Sequence, residues 1–321
     1  MKVRHIAGAL SMMLLVGASQ ASGYPDRPIR VLVGYSPGGS ADLIARVVTS
    51  AMSEKLGQPI VIESRPGAGS TIASNVIARA PKDGYLLGLA TANIYGVDQS
   101  AYSVSYTGDD FTPINLLASY PLILAVNPEK GPKTFAEFMA KAKANPGTMF
   151  YSSSGIAGSP HTSAVMLQDY MGTEFTHVPF KGGNPALVAV ASGEVDFSLG
   201  TAPAVLPLGR GGKVRMLAVS SAQRSQIAPD LPTIAESGVK DFEYSFWFGL
   251  FGPAGMPAEV TQKLFEASRA ALADPEIQKR LIQIGSEAGT FQTQAEFAKY
   301  ARENGAFTLE KIKRAQSLES K

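Results

Sequence analysis

The sequence predicts an α/β protein built as two lobes, each a mainly parallel sheet flanked by helices. Two observations predict the class: β-branched runs alternate with segments of helical spacing, and short glycine turns join them. A third observation predicts the number of lobes. The roughly 300 residues after the N-terminal segment reach the size, about 250–300 residues, at which one hydrophobic core usually splits.

The elements follow in order along the chain. The first strand is predicted at 29–35, and a helix at 42–56 follows because its apolar residues recur at helical spacing. Further strands are expected at 60–63, 86–90, 111–117, 122–126, 149–152, 175–179, 196–199, 214–220 and 244–251. Further helices are expected at 74–79, 134–144, 160–170, 185–192, 257–273 and 275–284, and a last one from Gln294. Thr293 and Glu296 have capping-box spacing before that last helix.

The lobes are expected to share the chain unevenly. Crossings between them are predicted near 122–126 and 244–251. Lobe one then contains 24–123 and 247–321, and lobe two contains 124–246. After 251 only helices are expected.

Residues 1–21 are predicted to be a secretory signal peptide. Lys2 and Arg4 provide the basic start, 6–18 is apolar or small, and cleavage is expected near Ala21. A membrane anchor is the alternative, but about 13 apolar residues fall short of the roughly 20 that span a bilayer. The mature chain is therefore expected to be periplasmic.

Composition excludes several kinds of site. The chain contains no cysteine, which excludes disulfides, thiolate metal sites and an N-terminal lipidated cysteine. Removing Lys2 and Arg4 from the 29 basic side chains leaves 27, equal to the 27 acidic ones. Without a basic excess, binding to nucleic acid is disfavoured.

Two loops share one design, with a strand, glycines and hydroxyl residues ahead of a helix. Such turns expose backbone N–H groups at the positive end of a helix dipole, which favours an anion. Ser159 is predicted as an N-cap, with Pro160 first in the helix. Both loops could instead be ordinary turns that serve only the fold. The candidate ligand contacts are Ser36, Gly38, Gly39, Ser40 and Asp42 in the first loop, and Ser153, Ser154, Gly155, Ser159 and His161 in the second.

A third glycine turn contains Lys181 and Gly182, of which Gly182 is a candidate contact and Lys181 is interpreted as a surface lysine. Trp247 could pack on a ligand or in the core. His161 and His177 lack an adjacent nucleophile motif and an orienting acid, and no histidine cluster has metal spacing. The sequence therefore predicts no enzyme, no metal and no cofactor.

Seven segments resemble one family, the Bug or TctC solute receptors of tripartite tricarboxylate transporters. They occur in the family's order from Tyr24 to near the C-terminus. They are 24–29 (YPDRPI), 37–42 (PGGSAD), 56–59 (LGQP), 65–69 (RPGAG), 83–85 (DGY), 178–183 (VPFKGG) and 231–238 (LPTIAESG).

The resemblance implies a type II periplasmic binding fold with a carboxylate held between the lobes by backbone N–H groups, hydroxyls and waters. It extends the candidate contacts to Thr91 and Asn93, in the segment that lines the cleft, and to Thr201. It implies that the ligand is delivered to membrane transporter subunits, and the protein is expected to be a monomer. Delivery to a sensor kinase, or less favourably catalysis on a small acid, are the alternatives.

The sequence departs from the family pattern at two informative places. Ser70 stands where a third glycine would follow Gly67-Ala68-Gly69. Gly200 lies in the segment 197–201, where many members carry an acidic residue that could meet an amino group. An acid without an amine, either a di-, tri- or aromatic carboxylate, is therefore the expected ligand.

Overall fold

The structure is a computed structural model that describes residues 23–35, 37–155, 158–180 and 182–319. The predicted signal peptide, Ser36 and Lys181 lie outside the described residues. Among the described residues, no helix combines the length and apolar character needed to cross a bilayer.

Strands and helices alternate through most of the chain, which confirms the predicted α/β class. The strands are β1 (Ile29–Val33), β2 (Ile60–Ser64), β3 (Leu86–Ala90), β4 (Phe111–Val126), β5 (Phe150–Ser153), β6 (Thr176–Pro179), β7 (Phe197–Thr201), β8 (Arg215–Val219), β9 (Ser245–Pro253) and β10 (Glu287–Ala288). The helices are α1 (Ser40–Leu56), α2 (Thr71–Ala78), α3 (Val97–Ala101), α4 (Phe135–Ala144), α5 (Ser159–Met171), α6 (Gly183–Ser192), α7 (Ala202–Arg210), α8 (Ala258–Leu272), α9 (Pro275–Gln283) and α10 (Gln294–Glu319).

The strands form one continuous curled sheet in the order β2-β1-β3-β9-β4-β7-β5-β6, with β8 and β10 also paired to β4. The pairs β1–β2, β1–β3, β5–β6 and β5–β7 are parallel. Both long strands, β4 and β9, run antiparallel to their neighbours. The sheet is therefore parallel in two groups of strands that are joined by an antiparallel centre.

Strand β4 corrects the prediction of two separate strands at 111–117 and 122–126. It is one 16-residue strand, in which Phe111 to Pro121 pair with β9 and the residues from Leu122 onward pair with β7 and β8. Proline usually interrupts a strand because it lacks an N–H group. Pro121 lies where β4 changes partners, so the missing donor interrupts neither ladder.

Other differences from the prediction lie in segments with weak local signals. Helix α7 contains Pro207 in its interior, where proline disfavours a helix, and no element was predicted there. The two-residue strand β10 contradicts the expectation of helices only after 251. The capping box is confirmed, because Thr293 N–H donates to Glu296 and Glu296 N–H donates to Thr293 Oγ1, each over 3.2 Å.

Apolar faces hold the helices on the sheet. Helix α1 buries Ile44, Val48 and Met52 in a core shared with β1 and α8. A second core packs α4 and α5 against the second half of β4. A third, aromatic core contains Trp247, which is 2% exposed, so the expectation of core packing is confirmed over that of ligand contact. Its Nε1 donates to Asn304 Oδ1 over 2.8 Å.

Candidate functional site

Three loops meet at the carboxyl ends of β1, β2 and β3. Strand β1 lies between the other two in parallel, with Val33 opposite Ser64 on one side and Leu89 on the other. The loops that follow these strands therefore leave the sheet at one edge, where open α/β sheets usually bind ligands. We call the described residues within 34–42, 65–71 and 91–98 the first loop edge.

The glycine loop before α1 is held by a carboxylate. Gly38 has a φ of +78°, in the left-handed region that glycine adopts without strain. Its N–H donates to Asp42 Oδ2 over 3.0 Å, and Arg46 Nε donates to the same oxygen over 2.9 Å. The Arg46 bond, and then the Gly38 bond, hold the pKa of Asp42 below its usual range. Asp42 is buried and shapes the loop, and the Gly38 N–H is already used.

The start of α1 presents the donors that remain. The N-cap residue of α1 is Gly39, whose backbone is extended. Glycine has no side chain that could cap the helix. The N–H groups of the first turn have no acceptor within a helix, and they carry the positive end of its dipole. Gly39 is exposed and Ser40 is half-buried, so an anion can reach this turn.

The loop after β3 contributes two more predicted contacts. Thr91 is buried, and its Oγ1 accepts the Asn93 N–H over 3.2 Å at the start of a short 3-10 helix. The Thr91 hydroxyl therefore holds the start of this short helix, and it also lies close to the Tyr35 hydroxyl. Asn93 itself is half-buried.

A cluster of hydroxyls and one carboxyl at this edge was not predicted as a whole. Burial, above all, raises the pKa of Tyr35, and the charge of Asp98 raises it further. The hydroxyls of Ser70 and Thr91 lie close enough to oppose that rise. The departure from glycine at Ser70 was a sequence signal for this cluster, whereas nothing in the sequence marked Asp98.

Asp98 supplies the carboxyl group of the cluster. Only 3% of the residue is exposed, and its Oδ2 accepts the Tyr106 hydroxyl over 2.6 Å. Burial raises the pKa of Asp98 from 3.8 to about 6, although the Tyr106 bond opposes the rise. The first loop edge therefore contains an acid that loses its proton around pH 6 rather than around pH 4.

A second set of loops meets at the carboxyl ends of β5, β6 and β7. Ser153 lies opposite Pro179 in the parallel pair β5–β6, and Tyr151 lies opposite Phe197 of β7. We call the described residues within 153–161, 180–183 and 201–202 the second loop edge. It contains the candidates Ser154, Gly155 and Gly182, all half-buried, and Thr201 at the start of α7.

Ser153 is committed to the loop that it begins. Its Oγ bonds both the O and the N–H of Gly155, each over 3.1 Å, and lies 2.7 Å from His177 Nε2. The side chain is buried. Ser153 therefore fixes the Gly155 turn.

Helix α5 begins one residue earlier than predicted. Gly158 is the N-cap, Ser159 is the first helical residue and Pro160 the second, so the assignment of Ser159 as the N-cap was wrong. Gly158 takes this position because its extended backbone directs its O at the Thr162 N–H, 2.9 Å away. His161 lies inside the helix, 1% exposed, with its ring stacked on that of His177.

The described residues contain no group of three or more His, Cys, Asp or Glu side chains arranged to hold a metal ion. Taken together, the two loop edges offer helix starts, backbone N–H groups and hydroxyls. Such donors suit a small oxygen-rich anion.

Comparisons with known proteins point to one family. A family model described as the tripartite tricarboxylate transporter family receptor, TctC, matches residues 44–315. A curated Agrobacterium vitis protein, the UPF0065 protein in the TAR-I ttuE-ttuC' intergenic region, is 32% identical over 293 residues, or 89% of this chain and 83% of its own.

Solved structures give the same result. An R. palustris protein solved with adipate is 30% identical with a TM-score of 0.77, and the match covers 91% of this chain and 98% of that one. MatC from Rhodopseudomonas palustris with bound malate is 29% identical with a TM-score of 0.73, over 90% of this chain and 100% of that one.

Proposed function

This chain belongs to the TctC family of tripartite tricarboxylate transporter receptors, and we propose that it is a periplasmic receptor that binds a small organic carboxylate between two lobes. In this proposal the closed, loaded receptor docks on membrane transporter subunits, and it releases the ligand without changing it. The partition into lobes at 24–123 plus 247–321 and 124–246 is part of the proposal.

The observation that carries the proposal is the start of α1. Its accessible first turn, after Gly38 and Gly39, offers N–H groups without helical acceptors at the positive end of a 17-residue helix. A carboxylate satisfies these donors without a basic side chain. The nearest charged pair, Asp42 with Arg46, is already neutralised within the helix.

The second loop edge supplies the opposite end of the site in this proposal. Ser154, Gly155 and Gly182 are half-buried residues of two loops that leave parallel strands at one edge. A ligand that touches both loop edges stabilises only the closed arrangement, because those contacts are made together only there. This differential contact is what would drive closure.

The two relatives solved with adipate and with malate support the ligand class. Both compounds are dicarboxylates, and the structures that hold them match this chain along nine-tenths of its length. With Gly200 buried in β7, no acidic side chain stands at that position to receive an amine. We therefore favour an acid without an amino group.

A thermal-shift screen of the exported, purified protein tests the proposal. Mono-, di-, tri- and aromatic carboxylates are compared with amino acids, sugars and cationic compounds. A ligand at about 100 times its dissociation constant adds about 2.7 kcal/mol to the free energy of unfolding. Stabilisation by carboxylates, with the ligand recovered intact by mass spectrometry, is the expected result. Stabilisation by sugars or cations alone would contradict the ligand class, and turnover would contradict a receptor.

A further inference from the structure

Helix α10 lies across both groups of parallel strands. With 26 residues it is the longest helix that the structure describes, about 39 Å at about 1.5 Å per residue. It packs against the 3-10 helix Ala92–Tyr95 of the first loop edge, and also against α5, which begins at the second loop edge. The helix is therefore in contact with both sides of the proposed cleft.

The first half of α10 is held on the side of the first loop edge. Phe297 is fully buried in the third, aromatic core. A Cβ placed on Gly305 would overlap the side chain of Tyr95. In the same way, a Cβ placed on Gly96 would overlap the side chain of Leu309. Because each glycine backbone is in direct contact with the other segment, this part of the helix is tightly packed on the loop.

The last turns of α10 reach the other group of strands. Phe307 packs against the second core, which includes residues of α5. Ile312 is 1% exposed, so the fold also covers this end of the helix. Arg314 Nε donates to Asp169 Oδ2, near the end of α5, over 2.5 Å. One helix thus grips the first loop edge with its middle and α5 with its end.

The glycine turns of the two loop edges face open space in this structure. Among the described residues, no atom outside its chain neighbours lies within 4 Å of a Cβ placed on Gly38. A Cβ on Gly155 would meet only the O of Phe180, at 3.8 Å. A Cβ on Gly182 would meet only Pro185, at 3.9 Å. Both neighbours belong to the same side as the glycine they meet, so these turns are not pressed against the opposite edge, as expected for an open cleft.

We propose that α10 is a strap that holds the receptor in this open arrangement until a ligand closes it. Closure moves α5 relative to the first loop edge, and α10 is packed on that edge, so the contacts between its last turns and α5 are lost. A ligand must offset those contacts, because they stabilise only the open arrangement. The inference rests on the proposed function, since it requires that the two loop edges close on a carboxylate.

A reversible cross-link between α10 and α5 tests the strap. The chain contains no cysteine, so Arg314→Cys with Asp169→Cys introduces its only two thiols. A short bis-methanethiosulfonate reagent joins the thiols, and a reductant releases them. Calorimetry measures the affinity of both forms for malate, adipate and each carboxylate that stabilises the protein in the thermal-shift screen. The cross-linked form should bind at least about tenfold more weakly, and reduction should restore binding to within about threefold of wild type.

Lys299→Cys with Glu303→Cys is the matched control. These residues form an i, i+4 ion pair on the exposed surface of α10 itself, so a cross-link there joins one turn of one helix and restrains nothing between elements. Both forms of the control should bind as wild type. Small-angle X-ray scattering gives a second readout, because the acid should compact the reduced Arg314/Asp169 double variant and leave its cross-linked form unchanged.

A charge reversal tests the strap without cysteines. Arg314→Glu places two acids opposite each other, which weakens the contact and should tighten carboxylate binding by about twofold to fivefold. Arg314→Asp with Asp169→Arg restores the attraction and should return the affinity to the wild-type value. Circular dichroism confirms that each variant is folded.

The outcomes separate the strap from the receptor function. If the cross-linked double variant binds a carboxylate as tightly as its reduced form, or if Arg314→Glu binds no more tightly than wild type, the strap is overturned and the receptor function stands. If the wild type binds none of the carboxylates in the screen, the proposed function is overturned and this inference with it.

Discussion

The imidazole of His177 stacks on that of His161, with ring centroids 4.1 Å apart and planes inclined by 14°. The same His177 places Nε2 2.7 Å from Ser153 Oγ, which bonds both backbone groups of Gly155. A packed ring pair inside the protein is therefore connected to the turn at the second loop edge. The connection makes His177 a positioning residue for that turn.

His177→Phe tests this connection. Phenylalanine keeps a flat ring to stack on His161 but cannot bond Ser153, so the Gly155 turn loses one restraint. We expect ligand affinity to fall about 5–30-fold, the equivalent of about 1–2 kcal/mol, with a smaller change in melting temperature. Calorimetry and thermal unfolding measure the two effects. His177→Gln is the matched variant, since it can bond Ser153 but cannot stack, and it should lose stability more than affinity.

Gly39→Leu should abolish carboxylate binding without unfolding the protein. Gly39 is exposed and has a φ of −77°, so a side chain is tolerated by the backbone but would cover the first turn of α1. Equilibrium titration and circular dichroism check binding and folding. Ser50→Leu places the same side chain on an exposed position of α1 away from the loop, and it should bind as wild type. Unchanged affinity in Gly39→Leu would refute the assignment of the anion site to α1.

Asp98→Asn should change how stability depends on pH. The pKa of Asp98 is about 6 in the folded protein, compared with 3.8 for an unperturbed aspartate side chain such as that of the unfolded chain. Between these values the unfolded chain ionises while the folded one stays protonated, so the wild type loses stability as pH rises through this window. Asparagine can still accept the Tyr106 hydroxyl and carries no charge. Above about pH 6 the variant should be more stable by up to about 3 kcal/mol.

Urea unfolding between about pH 4 and about pH 8 measures the Asp98 effect. Asp109→Asn, on an exposed position of the same region, serves as the control for removing a negative charge. If the free energy of unfolding depended on pH in the same way in the wild type and in Asp98→Asn, the pKa of Asp98 would not be raised by folding.

Ser70→Gly should raise the free energy of unfolding in the absence of ligand. Removing the side chain relieves a left-handed conformation that costs about 1–2 kcal/mol for an ordinary residue. Glycine is more flexible in the unfolded chain, which offsets part of the gain, so we expect a net stabilisation of about 1 kcal/mol. Denaturant unfolding of Ser70→Gly and Ser70→Ala checks the expectation, because alanine keeps the strained backbone. A less stable glycine variant would mean that the hydroxyl contributes to the fold.

The single tryptophan provides a spectroscopic test of the aromatic core. Trp247 is 2% exposed and stacks on Phe251, with its Nε1 bonded to Asn304. Its emission should therefore be blue-shifted in the folded protein and should change little with a saturating ligand. Trp247→Phe should cost about 1–3 kcal/mol, because it removes buried area and leaves Asn304 without its donor. A large ligand-induced shift of the emission would place Trp247 in the site after all.

The sequence predicted those helices whose signals lie within a short stretch of the chain. Helix α1 was recognisable because its buried residues recur at helical spacing, and the Thr293–Glu296 capping box marked the start of α10. The prediction divided β4 into strands at 111–117 and 122–126, and only the change of pairing partner after Pro121 explains why the strand continues.

The candidate site could likewise be predicted only where its residues are consecutive in the sequence. The glycine loops before α1 and α5 were visible in the sequence because their residues are consecutive. The cluster of Tyr35, Ser70 and Asp98 was not, because three loops far apart in the chain bring it together. The burial of His161 likewise depends on His177 from another element, and no local spacing predicts that contact.

The paired central strands have a mechanical consequence. Ser119, Tyr120 and Pro121 of β4 remain opposite Trp247, Phe246 and Ser245 of β9 up to the point where β4 changes partners. The two groups of parallel strands are thus connected by a hydrogen-bonded ribbon of two antiparallel strands and not by a flexible linker. If the proposed closure rotates the two groups of parallel strands about this ribbon, it must twist the ribbon, and a bound solute would work against that resistance. Stiffening or softening the ribbon would then tune affinity from a place the solute never touches.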